Sequence, residues 1–337
     1  MPARALIVGC AGPLLTAAER EFLAEIRPWG LILFKRNIHS PEQVSALIQE
    51  FRRVVGYRDA PVLIDQEGGR VQRLSPPHWP NFPPASTFEK TYRRDPSRGI
   101  EAAKLGARLI ASELSALGIT IDCMPVADLR LPQGHGVIGD RAYGPEIDTV
   151  FRLARAAADG LIAGGVLPVM KHIPGHGRAG ADSHDSLPVV TSSRDELSRT
   201  DFEPFRRLND LPIAMTAHVV YEAVDPDRAA TISPLLVQEI IRKHIGFDGL
   251  LLTDDISMRA LTGKLQARAE KAIEAGCDIV LHCNGNLDEM IEVAAASPIL
   301  SGQAARRAKA ALTRRKAPLE SVNVAEAHAR FSAMIAA

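Results

Sequence analysis

The chain alternates short apolar runs with longer stretches in which apolar residues recur at helical spacing. Several runs are apolar at almost every position, as expected of parallel strands that are buried on both faces. The eight runs, in order, are Leu6–Gly9, Leu31–Phe34, Val62–Asp65, Ile121–Val126, Val166–His172, Ile213–His218, Leu250–Asp254 and Ile279–Cys283. The pattern therefore predicts β-α units around a parallel sheet.

The stretch after Ser40 shows the helical pattern best. Ser40 is a favourable N-cap, Pro41 suits the first helical position, and Gln43 would complete a capping box. The apolar positions that share one face of this helix are Val44, Leu47, Ile48, Phe51 and Val55. Further helices are expected near 16–26, 98–117, 147–163, 194–208, 233–244 and 265–275.

Eight strands that alternate with helices predict an α/β fold, a closed (β/α)8 barrel. An open, doubly wound sheet with a second domain is the alternative. The positions of polar residues favour the barrel, because barrel enzymes carry their chemistry at the C-terminal ends of the strands. The polar residues that end apolar runs are Asp65, Lys171, His172, His218, Asp254, Asp255, His282 and Asn284.

The length of 337 residues would allow about two domains of roughly 150 residues each. Because the eight runs extend to about residue 284, we instead expect one barrel over residues 1–300. Residues 301–337 then form helices packed on the barrel. Six basic residues of this extension have no acidic neighbour in sequence, and we interpret them as a solvated helix face rather than a binding patch. They are Arg306, Arg307, Lys309, Arg314, Arg315 and Lys316.

Composition limits the possible partners and the compartment. Apolar residues make up 46% of the chain, and 40 basic residues balance 40 acidic ones, so no net charge would attract nucleic acid or anionic lipid. The first apolar run is broken by Gly9, Gly12 and Pro13, which makes a poor signal peptide, and no stretch is long enough to span a membrane. Four sparse cysteines suggest reduced thiols. We expect a soluble, cytoplasmic monomer without a nucleic-acid or membrane partner.

Two long loops interrupt the pattern. Residues 74–90 are rich in proline and aromatic residues, and we expect a stiff loop there. Residues 173–188 have no apolar periodicity and are rich in Gly, Ala, Ser and Asp. A structureless segment of this length in a compact domain usually has a function.

Asp65 directly follows the third apolar run and precedes Gly68 and Gly69. With Arg70 and Arg73 nearby, it could bind a polar ligand jointly with a guanidinium group; alternatively, an Asp–Arg salt bridge could merely tie down the loop. The glycine-rich motifs of nucleotide-binding loops are absent.

Lys171 and His172 end the fifth run, where a buried charge needs a partner. His172, His176, His218 and an aspartate could also hold a metal ion. Two features argue against a metal site. The first strand does not end in the His-x-His motif of metal-dependent amidohydrolase barrels, and Pro174 prevents the helix that would place His172 and His176 on one face. We therefore expect no metal and no cofactor.

Three further acidic residues are candidates for catalysis. Asp182 lies two residues before His184 and could accept its imidazole N–H, giving a general acid/base near neutral pH, unless the segment is only a surface Asx-turn. Asp254 and Asp255 end the seventh run, and strand alternation would direct only one of them inward. A capping role suits Asp255 better than Asp254.

Five motifs together resemble the bacterial β-N-acetylglucosaminidases of glycoside hydrolase family 3. They are DQEGGRVQR at 65–73, GDRAYG at 139–144, KHIPGHG at 171–177, ADSH at 181–184 and TDD at 253–255. The order and spacing match the family over residues 1–300. Small departures from the family's usual wording occur at Ile173, Thr253 and the pair Ala142-Tyr143. None of them touches a group expected to transfer a proton or to act as the nucleophile.

The resemblance implies a (β/α)8 barrel that removes terminal β-linked N-acetylglucosamine with retention of configuration. It implies that Asp254 is the nucleophile, that His184 is the acid/base and that Asp182 is the partner of His184. It also implies the substrate, a cytoplasmic peptidoglycan fragment in which N-acetylglucosamine is linked to 1,6-anhydro-N-acetylmuramic acid, with or without a peptide. The residues expected to hold the sugar are Asp65, Arg73, Arg141, Lys171 and His172.

Several alternatives remain at this point. A histidine base would not repel an incoming phosphate, so a glycoside phosphorylase is possible, as is a β-glycosidase of broader specificity within the same family. A metal-dependent barrel hydrolase and a non-catalytic sugar-binding barrel are two further hypotheses. The presence of Asp182, His184 and Asp254 together argues against the binding protein.

Overall fold

Each of the eight predicted runs overlaps one strand of a closed parallel barrel. The computed structural model describes residues 2–132, 134–183, 186–315 and 323–336. The barrel strands are β1 Arg4–Val8, β2 Pro28–Leu33, β3 Val62–Ile64, β4 Ile121–Asp122, β5 Leu167–Ile173, β6 Ile213–Thr216, β7 Leu250–Asp255 and β8 Ile279–His282. Each strand pairs in parallel with its neighbours in sequence, and β8 pairs with β1. The predicted (β/α)8 barrel is confirmed, and the open sheet is wrong.

Two apolar layers hold this architecture together. One fills the barrel and includes Ile7, Leu63, Val169 and Leu250; the other lies between the strands and the surrounding helices. Because side chains alternate along each strand, the same apolar run supplies both layers. The barrel interior is therefore packed with side chains below the level at which polar residues begin.

The surrounding helices agree in position with most of the predicted ones. They are Ala17–Ile26, Pro41–Val55, Ala85–Arg94, Pro96–Leu117, Ile147–Ala163, Arg194–Arg199, Glu203–Arg207, the π-helix Leu236–His244, Leu265–Ala275, Leu287–Ala296, Gly302–Thr313 and Val324–Ile335. The helix expected at 194–208 is in fact two, because the backbone of Thr200 leaves helical geometry before Pro204. The expected loop at 74–90 is shorter than predicted, since a helix begins at Ala85.

The cap at Ser40 differs in one bond from the expected capping box. The Ser40 side chain accepts the N–H of Gln43, as expected for an N-cap. The Gln43 side chain, however, accepts the backbone N–H of His39, at 2.8 Å, instead of that of Ser40. The capping box is therefore shifted by one residue.

The run from Ile121 keeps strand pairing for only two residues. The chain then continues beside β5 with single backbone bonds, from Lys171 N–H to the Pro125 carbonyl and from Ala127 N–H to the Lys171 carbonyl. Pro125 has no N–H to donate, which interrupts a regular ladder at this point. The irregular segment carries Asp128 to the C-terminal end of β5.

The C-terminal helices contact the barrel and the helix Pro96–Leu117. Arg307 donates to Asp278 at 3.1 Å and to Asp248 at 2.8 Å, and Arg306 also donates to Asp248. The expectation that these two residues have no acidic partner is therefore wrong. Arg306 still lies on a solvated face, whereas the Arg307 side chain is mostly buried. Lys316 lies outside the described residues.

The final helix, Val324–Ile335, contacts the loop that the sequence showed as aromatic. The Phe331 ring lies 6.2 Å from the rings of both Phe82 and Phe88, and Arg98 donates to the Met334 carbonyl at 2.9 Å. All four cysteines are buried free thiols. Among the described helices, none combines the length and apolarity needed to cross a bilayer.

Candidate active site

A cavity of about 150 Å³ lies at the C-terminal ends of the barrel strands. It collects the residues that the resemblance assigned to sugar binding and to nucleophilic attack, although they come from four different segments of the chain. The residues of that set that line the cavity are Asp65, Arg73, Arg141, Lys171, His172 and Asp254. Phe34 and Met258 contribute apolar surface to the same cavity.

Five charged side chains form a continuous series of alternating charge, which we call the charged wall; Asp65, Arg73, Arg141 and Lys171 line the cavity, and Glu67 joins them without lining it. The Lys171 Nζ lies 2.8 Å from Asp65 Oδ1 and 2.8 Å from Glu67 Oε1. On one side, Arg73 Nη2 lies 3.1 Å from Asp65 Oδ2. On the other, Arg141 bonds both oxygens of Glu67, each at 2.8 Å. Each carboxylate thus binds two cations.

The electrostatics of this series keep its members charged. Burial alone would raise the pKa of each carboxyl, but the neighbouring cations outweigh it: they hold the pKa of Asp65 far below its usual range and lower that of Glu67 to about 2. Burial would lower the pKa of Lys171, yet Asp65 and Glu67 raise it above its usual value. At neutral pH the wall is a fixed array of donors and acceptors for a polar ligand.

Glu67 is the member of this series that the sequence analysis missed. It lies in a small hairpin, Gln66–Gly68 paired with Val71–Gln72, rather than at a strand end. Gly68 and Gly69 turn this hairpin with positive φ, and a Cβ on Gly68 would lie 2.4 Å from the Pro83 carbonyl oxygen. The available signal was its position two residues after Asp65, which places both carboxylates on one side of an extended segment.

Asp254 and Asp255 both reach the cavity, but they differ in what binds them. Asp255 accepts the N–H of Ser257 at 3.0 Å and its hydroxyl at 2.8 Å, and so fixes the turn after β7. Asp254 Oδ1 accepts the backbone N–H of Asp255 at 2.8 Å. The register between β7 and β8 shifts between Leu252 and Asp255, which breaks the simple alternation that the sequence implied.

The environment of Asp254 favours a carboxylate. Burial raises the pKa of this group, but the His218 and His172 imidazoles, the Asp255 N–H and the Lys171 ammonium outweigh burial and hold the pKa below its usual range. An ionised carboxylate facing a cavity, with its partner aspartate committed to a turn, has the properties of a nucleophile or an electrostatic stabiliser.

The proposed acid/base lies outside the described residues, so its pairing stays a prediction. This residue is His184. Asp182 is described: it is partly buried, and its carbonyl accepts the Ser186 N–H. Between the two, Ser183 is buried and lines the cavity. Its hydroxyl lies 3.4 Å from His176 Nε2, so the chain next to His184 reaches the cavity.

The first half of the 173–188 segment is held firmly. Arg178 contacts Asp201 at 3.0 Å and Glu196 at 2.8 Å. The Tyr221 hydroxyl donates to the Gly175 carbonyl, and the Ala179 carbonyl accepts a backbone bond. Asp201 is buried at the break between the helices Arg194–Arg199 and Glu203–Arg207. The break thus places the carboxylate that binds Arg178. The segment is therefore anchored at its base rather than structureless throughout.

Two of the histidines considered for a metal site, His218 and His176, bind other groups of the protein through their ring nitrogens. His218 bonds Thr231 Oγ1 through Nδ1, at 2.7 Å, and the Asp255 carbonyl through Nε2, at 2.9 Å. Burial lowers the pKa of His176 to about 4, and its Nε2 contacts Ser183. No group of three or more metal-binding side chains is found in the part of the chain that the structure describes.

Comparison with known proteins links this geometry to one family. The family model "Glycosyl hydrolase family 3 N terminal domain" matches residues 12–314. A β-hexosaminidase of Alkalilimnicola ehrlichii is 41% identical over 288 residues, which are 83% of this chain and 80% of that protein. A β-hexosaminidase of Nitrosomonas eutropha is 38% identical over 85% of this chain and 83% of its own length.

Solved structures give the same result. NagZ from Neisseria gonorrhoeae, in complex with N-trifluoroacetyl-D-glucosamine, superposes with a TM-score of 0.90 at 32% identity, covering 100% of this chain and 99% of that one. A glycoside hydrolase family 3 β-N-acetylglucosaminidase from Paenibacillus sp. has a TM-score of 0.86 at 30% identity, over 98% of this chain and 67% of its own. The match extends over the barrel and the C-terminal helices alike.

We predict that Glu67→Gln lowers kcat/KM for a chromogenic aryl glycoside about ten- to hundredfold. The substitution keeps the shape but removes the charge that orients Lys171 and Arg141, and hydrogen bonds to charged groups contribute about 1.5–3 kcal/mol. Steady-state kinetics, with the melting temperature of each variant, measure the effect.

The control is Asp140→Asn, which removes the charge of the pair between Arg70 and Asp140 at the rim, whose side chains are 45% and 43% exposed. Exposed pairs contribute little, so this variant should change kcat/KM less than about threefold. A Glu67→Gln variant that is as active as the control would contradict the role given to Glu67.

Proposed function

This chain belongs to glycoside hydrolase family 3, and from that premise we propose that it is a retaining exo-β-N-acetylglucosaminidase acting on peptidoglycan fragments. The observation that carries the proposal is the cavity at the barrel mouth. There a wall of paired charges faces Asp254, a carboxylate that binds no cation of that wall directly. A cavity of about 150 Å³ suits one pyranose ring rather than a chain of sugars.

The charged wall supplies the sugar-binding groups. Lys171, Arg73 and Arg141 donate hydrogen bonds and Asp65 accepts them, so a ring with several hydroxyl groups finds both kinds of partner in the cavity. The three cations are balanced by Asp65, Glu67 and Asp254, which suits an uncharged sugar better than a phosphate. Phe34 and Met258 offer apolar surface to the ring carbons.

The chemistry is a double displacement. Asp254 attacks the anomeric carbon with one carboxylate oxygen, the bond from that carbon to the leaving oxygen breaks, and His184 gives its proton to that oxygen. A glycosyl ester of Asp254 remains. Neutral His184 then takes a proton from water as the water oxygen attacks the same carbon, which releases the sugar with its β configuration and restores Asp254.

The segment around His184 suits a group that acts in both steps. The N-terminal part of this segment is held by the contacts of Arg178 and Ala179, while Ser183 lines the cavity. Asp182 would accept the imidazole N–H and raise the pKa of the ring, which favours the protonated form needed for the first step. A histidine acid of this kind replaces the second carboxyl group that most retaining glycosidases use.

The relatives and the resemblance support the proposed substrate class. The Neisseria protein was solved with an N-acylated glucosamine, and the curated relatives are named hexosaminidases. We propose N-acetylglucosamine linked to 1,6-anhydro-N-acetylmuramic acid as the substrate, with or without peptide. Its cleavage belongs to the cytoplasmic recycling of the cell wall, so we place the enzyme, as a monomer, in the cytoplasm.

We predict that this disaccharide releases free N-acetylglucosamine that appears first as the β anomer. Proton NMR during the first minutes resolves the anomers before they interconvert, and Asp254→Asn is the inactive control. If the α anomer forms first, the retaining mechanism is wrong. If sugar 1-phosphate appears in proportion to added phosphate, the enzyme is a phosphorylase instead.

We predict that His184→Ala loses about 10²- to 10⁴-fold activity on the disaccharide, whose leaving group needs a proton. The loss should be much smaller on an aryl glycoside with an acidic phenol as leaving group, and Asp182→Ala should show the same trend more mildly. Kinetics of both substrates measure the ratio, with Ser186→Ala as an exposed control nearby. Equal losses on both substrates would show that His184 is not the acid.

A further inference from the structure

A second aspartate–histidine pair lies inside the barrel mouth, apart from the pair proposed for catalysis. Asp128 follows the irregular segment after β4 and has no solvent exposure. Its Oδ2 lies 2.6 Å from His172 Nδ1. Its Oδ1 accepts the backbone N–H of His176 at 2.6 Å, and both oxygens lie within 3.3 Å of the His172 N–H.

The carboxyl group of Asp128 is ionised. Both of its oxygens accept backbone N–H groups, from His172 and from His176, as an ionised carboxylate does. Although burial raises its pKa, the hydrogen bonds from the His172 ring and from the His176 N–H help to hold that pKa below its usual value. An ionised carboxylate can only accept hydrogen bonds. Nδ1 of His172 must therefore carry the proton that lies between the two side chains.

This assignment determines what His172 offers to the cavity that it lines. In a neutral imidazole with the proton on Nδ1, Nε2 is a hydrogen-bond acceptor. The residue before it, Lys171, has only donors. Together the two neighbours provide a donor and an acceptor side by side, which matches a sugar hydroxyl that accepts one hydrogen bond and donates another.

We propose that Asp128 is a positioning residue that fixes the tautomer of His172, so that Nε2 accepts a hydrogen bond from a hydroxyl of the substrate sugar. The substrate class rests on the proposed function, whereas the tautomer rests on the hydrogen bonds and the charge of Asp128. Asp128 itself touches no substrate and acts through His172. Aspartates that orient histidine ligands of metals in this way are a general device of protein sites.

The experiment uses Asp128→Asn in the full-length enzyme. The asparagine oxygen can still accept the backbone N–H of His176, while its amide nitrogen replaces Oδ2 and can only donate to His172 Nδ1. The proton of the ring must then move to Nε2, which turns the acceptor facing the cavity into a donor. Asp225→Asn is the matched control, because Asp225 is a buried carboxylate bonded to Ser233 and to a backbone N–H, without a histidine.

The first readout is the tautomer itself. Long-range proton–nitrogen NMR spectra of histidine-labelled enzyme, assigned with His172→Gln, should show His172 protonated on Nδ1 in the wild type and in Asp225→Asn. The ring should be protonated on Nε2 in Asp128→Asn. A wild-type ring that carries its proton on Nε2, or on both nitrogens at neutral pH, would overturn the proposal, and this measurement needs no variant that folds poorly.

The second readout is kinetic. On aryl N-acetylglucosaminides that lack one ring hydroxyl each, the ratio of wild-type to Asp128→Asn kcat/KM should be about ten- to hundredfold for the parent compound. It should fall close to one for the compound that lacks the hydroxyl bound by His172. An equal loss across the whole series would mean that Asp128 only supports the fold. If the proposed function fails, no aryl N-acetylglucosaminide is cleaved by the wild type, and the NMR result still decides the tautomer.

Discussion

The ammonium group of Lys171 is the feature on which the site depends most. It lies on a barrel strand with 3% of its side chain exposed, where an unpaired charge would be very costly. Asp65 and Glu67 compensate it, but each of them is buried in turn and needs a second cation, which Arg73 and Arg141 provide. One buried charge thus explains the geometry of five side chains, the sharp hairpin after Asp65 and the position of the loop that carries Arg141.

In the proposed mechanism, the pairing of carboxylates with cations assigns sugar binding and nucleophilic attack to different carboxylates. In this mechanism, the two carboxylates of the charged wall do not attack the sugar because each is paired with two cations, whereas Asp254 is stabilised by a backbone N–H and by more distant groups. Asp255 is committed to the turn through Ser257. The three carboxylates that line the cavity thus have different roles in the proposed mechanism: Asp65 binds the sugar, Asp254 attacks it and Asp255 fixes the turn after the strand. Their different hydrogen-bond partners set these roles.

The fold and the strand-end residues could be predicted from the sequence because five of the eight apolar runs end in polar residues, which lie at the same end of the barrel. Asp65, Lys171, His172 and Asp254 all lie where the pattern indicated, and the resemblance added Arg73 and Arg141. Glu67 and Asp128 were missed because they lie after the barrel strands end, in a hairpin and in an irregular segment. For Glu67 the two-residue spacing from Asp65 was the available signal, whereas the irregular segment of Asp128 has no period that predicts the direction of a side chain. The residues that bind Glu67 and Asp128 lie in other segments of the chain, and a local sequence pattern does not predict contacts between distant segments.

The central claim is that Asp254, alone among the carboxylates of this cavity, attacks the sugar. The most direct measurement is incubation with a 5-fluoro N-acetylglucosaminyl donor, whose fluorine slows the breakdown of the covalent intermediate, followed by peptide mass mapping. We predict one label per chain, on Asp254, and no label in Asp254→Asn. A label on Asp255, Asp65 or Glu67, or rapid turnover of an accepted donor without any covalent species, would contradict it.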